Sequence, residues 1–245
     1  LAYLHYQQRI FATPFIAVAR IIVSWREMLR VGLPAMLTNA IVPISNGFAV
    51  AMIAGFGIDA VAGFGIGVRI EPVALIAFYA LSAITSPFMG QNYAAGKLDR
   101  LEEARRVIGR FCLIYGLGIA VVLGLLAYPL TGLFTDAVVI RNVAVSYLWI
   151  MVLSYGASGV VMSVCSAFNG VGYPIPGLLI SISRAFLVFL PLAWCGRWLL
   201  GLEGIFAAAA ASNMLVGAVG YLWLGRNIRR VRQGLAPGLS KRSPG

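Results

Sequence analysis

Charge is missing from this chain over distances that no soluble fold of ordinary composition tolerates. No charged side chain occurs from Val31 to Ile58, nor again from Asn142 to Ser183. Over all 245 residues, 60% are hydrophobic and 11% charged, against about 45–50% and about 25% in a soluble domain. Such runs belong in a bilayer, whose core is crossed by about 20 predominantly apolar residues per helix. Only helices and closed barrels satisfy their backbone polar groups in lipid. A barrel needs short alternating strands, so unbroken apolar runs select helices, and the expected fold class is an all-α, polytopic membrane protein.

Turn chemistry and charge divide the chain into six expected spans, at about 31–55, 61–88, 110–130, 143–168, 176–196 and 204–225. Ahead of them, residues 9–30 interleave Arg9, Arg20, Arg26 and Arg30 with Phe15, Ile16, Ile21, Ile22 and Trp25, the pattern of an amphipathic connector lying on the interface. Residues 1–30 are thus expected to hold the end of a preceding helix and this connector. The opening "LAYLHYQQR" has no signal-peptide layout and reads as the exit from an earlier span, so the chain is expected to be a fragment. Pro34 and Pro43 predict a bend in the first span. "YPLTGLFTD" closes the third, and "NGVGYPIPG" at 169–177 separates the fourth from the fifth. Residues 226–245 form a basic tail, expected to be disordered beyond about Gln233.

The net charge of +11 sets topology rather than attracting nucleic acid. Segments 1–30, 89–110 and 226–245 hold 15 of the 19 Lys and Arg residues, while the alternate loops hold Arg141 and Arg197 alone. By the positive-inside bias, both ends of this chain are expected in the cytoplasm. Trp194, Trp198, Tyr221 and Trp223 sit where interfacial anchors belong. The small residues of "GIFAAAAASNMLVGAVG" at 204–220 suit close helix packing.

Several chemistries are excluded. Cys112, Cys165 and Cys195 are widely spaced in apolar surroundings and read as reduced packing residues. His5 is the single histidine and lies at the extreme N-terminus, so a metal site or a histidine-based catalytic triad is not expected. No intramembrane carboxylates pair, so an enzyme is not expected either. "GFGIGVR" has a glycine ladder but follows no strand, which excludes a phosphate-binding loop.

One stretch departs from the apolar rule: "GVRIEPVALIAFY" at 67–79 places Arg69, Glu71 and Pro72 within a span. An ionisable group there costs at least about 2.5–3.5 kcal/mol and marks an ion or proton path facing the bundle interior. Glu71 is therefore the candidate coupling carboxylate. Pro72 cannot donate to the carbonyl of Val68, which leaves backbone oxygen beside the carboxylate. Arg69 is two residues from Glu71 and projects to another side of a helix, so each is expected to find a partner elsewhere, Arg69 by snorkelling to the outer interface. Arg184, in the fifth span, is a second basic candidate. Asn39, Asn46, Asn169 and Asn213 are polar groups at or near lipid depth, for which interhelical hydrogen bonding is the simpler role. Tyr79, Tyr155 and Ser163 are candidates for lining a cavity.

"LRVGLPAMLTNAI", the stretch from "AVAGFGIGVRIEPVALIAFYALS" through "AITSPFMGQNYAAGKLDRLEEARR", and "SAFNGVGYPIPGLLISISRAFLVFLPLAW" together resemble the multidrug and toxic compound extrusion (MATE) family across roughly residues 26–225. "GQNYAAG" is similar to that family's G-Q-N-x-G-A-G loop, with Ala94 at a glycine position. The resemblance implies the C-terminal six-helix lobe of a twelve-helix antiporter of a bacterial inner membrane. Such a transporter exports small organic, often cationic, compounds against H+ or Na+, uses no cofactor, and alternates access between two lobes, so that an N-terminal lobe and the bilayer are this chain's implied partners. Glu71 falls at a carboxylate position found in many bacterial members. Acids that some members carry in the first or fourth span are absent here, where the first has Asn39 and Asn46. Two alternatives stand beside this reading. An exporter of lipid-linked saccharides would line its cavity with more basic residues than Arg69 and Arg184, and a non-transporting scaffold would leave Glu71 replaceable.

Overall fold

The computed structural model describes residues 18–234. The start of the expected connector, the histidine and the tail beyond Gly234 lie outside the described residues, as do the side chains of Pro34 and Asn39. The described chain is helical, in the order α1 (Val18–Ala54), α2 (Ile58–Ala74), α3 (Ile76–Ala94), α4 (Leu98–Gly132), α5 (Val138–Met151), α6 (Tyr155–Gly170), α7 (Ile175–Ile182), α8 (Leu190–Leu200) and α9 (Leu202–Arg232). A 3₁₀ turn at Val152–Ser154 joins α5 to α6, and a π-helical stretch at Ser183–Phe189 joins α7 to α8. Large apolar side chains such as Leu125, Leu133 and Trp198 face outward on this bundle, as lipid solvation requires. The chain is an all-α, polytopic membrane bundle.

Three expected boundaries move. The described part of the expected connector, residues 18–30, and the first span are one helix, because nothing between Trp25 and Gly32 breaks the backbone; α1 also continues through Pro43. The second span is two helices, α2 and α3, meeting at 50°. Its break falls at Leu75, three residues beyond Pro72. The fourth span is likewise divided, with 58° between its halves, although no proline lies near Val152–Ser154.

These two bends belong together. α2 packs along α5 and α3 along α6, so the two broken spans run side by side in the same direction and turn at the same level. Glycine makes the approach close enough. A Cβ on Gly63 would meet Val143 and the carbonyl of Ile140, one on Gly159 would enter the Phe78 ring, and one on Gly90 would come within 2.6 Å of the Gly170 carbonyl oxygen. Backbone oxygens exposed by the first bend are met locally: Tyr115 Oη on α4 donates to the carbonyl of Ala74 at 3.2 Å. Between α3 and α6, Ser82 Oγ and Ser166 Oγ are 2.6 Å apart.

The two basic-side loops end their helices in the same way. At Gly96 (φ +68°) and Gly172 (φ +76°) the chain turns left-handed, and Lys97 N–H and Tyr173 N–H reach back to the carbonyls of Asn92 and Phe168 at 2.9 Å each. This is the Schellman arrangement, which favours glycine at the turning residue. Ala94 sits inside the last turn of α3, where glycine is not needed. Next to the first of these loops, Arg105 donates to both carboxylate oxygens of Glu102 and holds that carboxyl below its ordinary range. Trp223, half-buried, packs its ring on Phe168 with centroids 5.9 Å apart.

Where α4 crosses α6, a Cβ on Gly156 would lie 2.7 Å from the Cys112 carbonyl oxygen, whereas one on Gly118 would meet nothing within 4 Å. Gly156→Ala is expected to destabilise the protein by about 1–3 kcal/mol through overpacking. Gly118→Ala is expected to stabilise it by up to about 1 kcal/mol through helix propensity. Thermal melting of both variants in one detergent checks the opposite signs.

Candidate functional site

Inside the bundle, beside the two bends, lies a cavity of about 410 Å³ to which α1, α2, α3, α5, α6, α9 and the π-helical stretch all contribute. Glu71 and Arg184 are the two charged residues on its described wall. Their neighbourhoods differ.

Glu71 is placed by a face of α2. Gly63, Gly67 and Glu71 recur at i, i+4 and i+8, so they share one side of the helix, and that side meets α5. A Cβ on Gly67 would fall on the Tyr147 ring. Glycine there lets the ring lie flat enough against the α2 backbone for its hydroxyl to reach one turn further. Tyr147 Oη donates to Glu71 Oε2 at 2.5 Å. The Tyr147 ring is held edge-on between Phe64 and Phe206, each at a centroid distance of 5.2 Å. Pro72 and Val68 line the same cavity.

Arg184 is held by α9. Its Nη1 donates to Asn213 Oδ1 at 3.3 Å. Asn213 Nδ2 in turn donates to Ser154 Oγ at 3.2 Å, and Ser154 Oγ donates to the Met151 carbonyl at 2.9 Å. This relay runs from the cavity cation into the 3₁₀ turn that bends the fourth span. Arg184 sits at the beginning of the π-helical stretch, a widened turn of the kind found where side chains must be re-aimed. Among the described residues it forms no salt bridge with Glu71.

The other sequence candidates divide. Asn46 and Tyr79 line the cavity, as does Asn169 from the last turn of α6. The Asn39 side chain lies outside the described residues. Arg69 does not join the site: it is exposed on α2 and absent from the cavity wall, because two residues of helix turn it away from Glu71. Tyr155 and Ser163 do not line the cavity either. Both are fully buried in helix packing, and each hydroxyl lacks a hydrogen-bond partner. Tyr147 and Ser154 carried no sequence signal of their own. The i, i+4 spacing of Gly63, Gly67 and Glu71 implied a helix pressed against that face, but which helix and which side chain could be read only from the tertiary structure.

Among the described residues no group of His, Cys, Asp and Glu is arranged to hold a metal ion. The chemistry available is proton or cation binding at a carboxylate, electrostatic attraction at a guanidinium, and apolar contact with Phe64, Phe206 and Tyr79.

A family model described as MatE matches residues 34–195. The chain belongs to the MATE family. An FAD transporter from Shewanella oneidensis is 34% identical over 205 residues, which is 83% of this chain and 45% of the relative. The bent form of the Vibrio cholerae MATE transporter VcmN superposes with a TM-score of 0.85 at 28% identity, over 96% of this chain and 53% of that one. A mutant of the same Vibrio transporter gives 0.81 at 29% identity, over 91% and 49%. The chain therefore spans about half the length of the MATE proteins it resembles, and nearly all of it superposes on theirs.

Removing the Tyr147 hydroxyl while keeping its ring tests how this site is held. Tyr147→Phe is expected to cost about 1–3 kcal/mol, the range for leaving a buried hydrogen-bonding partner unsatisfied. Gly67→Ala is expected to cost a comparable amount by displacing the same ring, and the double variant less than the sum, since both act on one contact. Thermal or denaturant unfolding of the three variants measures the coupling.

Proposed function

We propose that this chain acts as one lobe of a cation-coupled exporter of organic molecules in a bacterial inner membrane, with both ends of the chain in the cytoplasm. The observation that carries the reading is the Glu71–Tyr147 pair, a carboxylate and its donor set in the wall of a cavity that also presents Arg184. Ionised Glu71 accepts the Tyr147 hydroxyl and supplies a negative charge for a cationic substrate. Uptake of H+ or Na+ at Glu71 neutralises that charge and weakens its hold on both. The lobe then rocks against a second, pseudo-symmetric lobe about a midplane cavity, as repeat-built transporters do. The fold, shared with MATE transporters over nearly the whole chain, supports this reading.

A second reading concerns the sign of the substrate. The Shewanella relative is named an FAD transporter, and Arg184 is the cation that an anionic, phosphate-bearing molecule would meet on the described wall of this cavity. On this reading Arg184 grips phosphate and the aromatic wall takes a ring system. Arg184→Gln then abolishes FAD export while sparing efflux of a cationic dye. Loss of dye efflux with FAD export intact would exclude it.

Coupling is tested in cells carrying the natural gene in full. Glu71→Gln is expected to remove the dependence of efflux on external pH or Na+ and to lower efflux at least about tenfold, the loss of roughly 1.4 kcal/mol of driving interaction. Unchanged efflux with unchanged ion dependence would take Glu71 out of the mechanism and favour a passive scaffold. For orientation, the Ser240→Cys variant is expected to be labelled at that position by a membrane-impermeant thiol reagent only after the cytoplasmic side is opened.

A further inference from the structure

α6 and α9 each have two working faces. Ser158 and Asn213 look into the central cavity, whereas the adjacent Ala157, Met214 and Gly217 line a separate groove on the other side, closed by α4. That groove has a volume of about 570 Å³. Its α4 wall is one helical stripe, Arg106, Arg110, Leu113, Leu117 and Ala120, at the spacing of residues that share a face. The stripe changes character along its length. The two arginines stand at the end of the bundle that carries Lys97, Arg100 and Arg105, and everything beyond them is apolar. From Arg110 to Ala120 the helix rises roughly 15 Å, about half of a ~30 Å hydrocarbon core. Leu113 and Leu117 are exposed along it, 63% and 61%.

The arginines at its mouth are available. Arg105, their neighbour, is committed to Glu102 and to the Tyr221 ring, 4.3 Å below its guanidinium. Arg106 meets Glu102 only through Nε at 3.6 Å and is 65% exposed. Arg110 is exposed and makes no salt bridge among the described residues. Two guanidinium groups one turn apart at the headgroup level, above an outward-facing apolar channel one leaflet deep, match a single kind of molecule. Basic pockets between membrane helices select anionic headgroups in this way, and arginine suits phosphate through its paired donors.

We propose that the α4/α6/α9 groove is a binding site for an anionic phospholipid, with the phosphate on Arg106 and Arg110 and one acyl chain lying along Leu113, Leu117 and Ala120. The site is independent of the transport cavity, and α6 and α9 form the wall between them.

Native mass spectrometry of the full-length natural protein in non-ionic detergent tests this with dioleoyl phosphatidylglycerol, dioleoyl phosphatidylcholine and inorganic phosphate as probes. Phosphatidylglycerol is expected to be retained at least tenfold better than phosphatidylcholine. The Arg106→Gln/Arg110→Gln double variant should abolish the preference and the lysine pair Arg106→Lys/Arg110→Lys should keep most of it. Leu113→Trp, which fills the channel without touching charge, should reduce retention of phosphatidylglycerol severalfold. Melting curves establish that each variant is folded. Equal retention of the two lipids by the wild type, or unchanged preference in the glutamine variant, would overturn the proposal. So would displacement of the lipid by inorganic phosphate with no effect of Leu113→Trp, which would leave a simple anion site.

Discussion

The close parallel packing of two bent spans is the constraint on which the rest of this bundle depends. A membrane helix broken in its middle exposes backbone polar groups that lipid cannot satisfy, so a bend survives only where neighbouring groups satisfy them. Here α2–α3 and α5–α6 turn at one level, and Tyr115 caps an exposed carbonyl at the first break. Without a strong hydrophobic drive between helices in lipid, dispersion contact at short range has to hold such a pair together. The glycines at 63, 67, 90 and 159 provide that range.

The cavity follows from the same packing. Residues from both halves of both bent spans, Glu71 and Tyr79 on one and Tyr147 and Ser158 on the other, line its wall. Because Gly67 admits the Tyr147 ring against α2, a hydroxyl arrives at Glu71 from the neighbouring span. Because the fourth span is interrupted at Val152–Ser154, Ser154 is free to receive Asn213, which in turn holds Arg184. The cavity's acid and base are therefore each tied to one of the two broken spans.

Much of this was legible in the sequence, for identifiable reasons. Charge-free runs, the glycine and proline turns at 96 and 169–177, and the rarity of ionisable residues in spans are one-dimensional signals of a three-dimensional constraint, the low dielectric of lipid. They led to the helices, to the loops and to Glu71. The bend at Leu75 was foreshadowed by Pro72. The bend at Val152–Ser154 was not, because its cause is the neighbouring span rather than any local breaker. The continuity of residues 18–30 with the first span in α1 was missed for the opposite reason: amphipathicity reports the surroundings of a helix and says nothing of where its backbone ends.

Sequence alone determined that this chain is helical, membrane-embedded, strongly asymmetric in its basic residues, and furnished with one acid well inside a span. Burying a charge is so costly that its position in a linear apolar run is informative without coordinates. Only the tertiary structure decided what that acid meets. Hydrogen-bond partners are set by distances of a few tenths of an ångström between helices far apart in the chain, and Tyr147 lies 76 residues from Glu71. The same holds for Arg69 and Arg184, equal candidates on paper. Helix phase turned Arg69 outward, while the π-helical stretch and Asn213 brought Arg184 into the cavity.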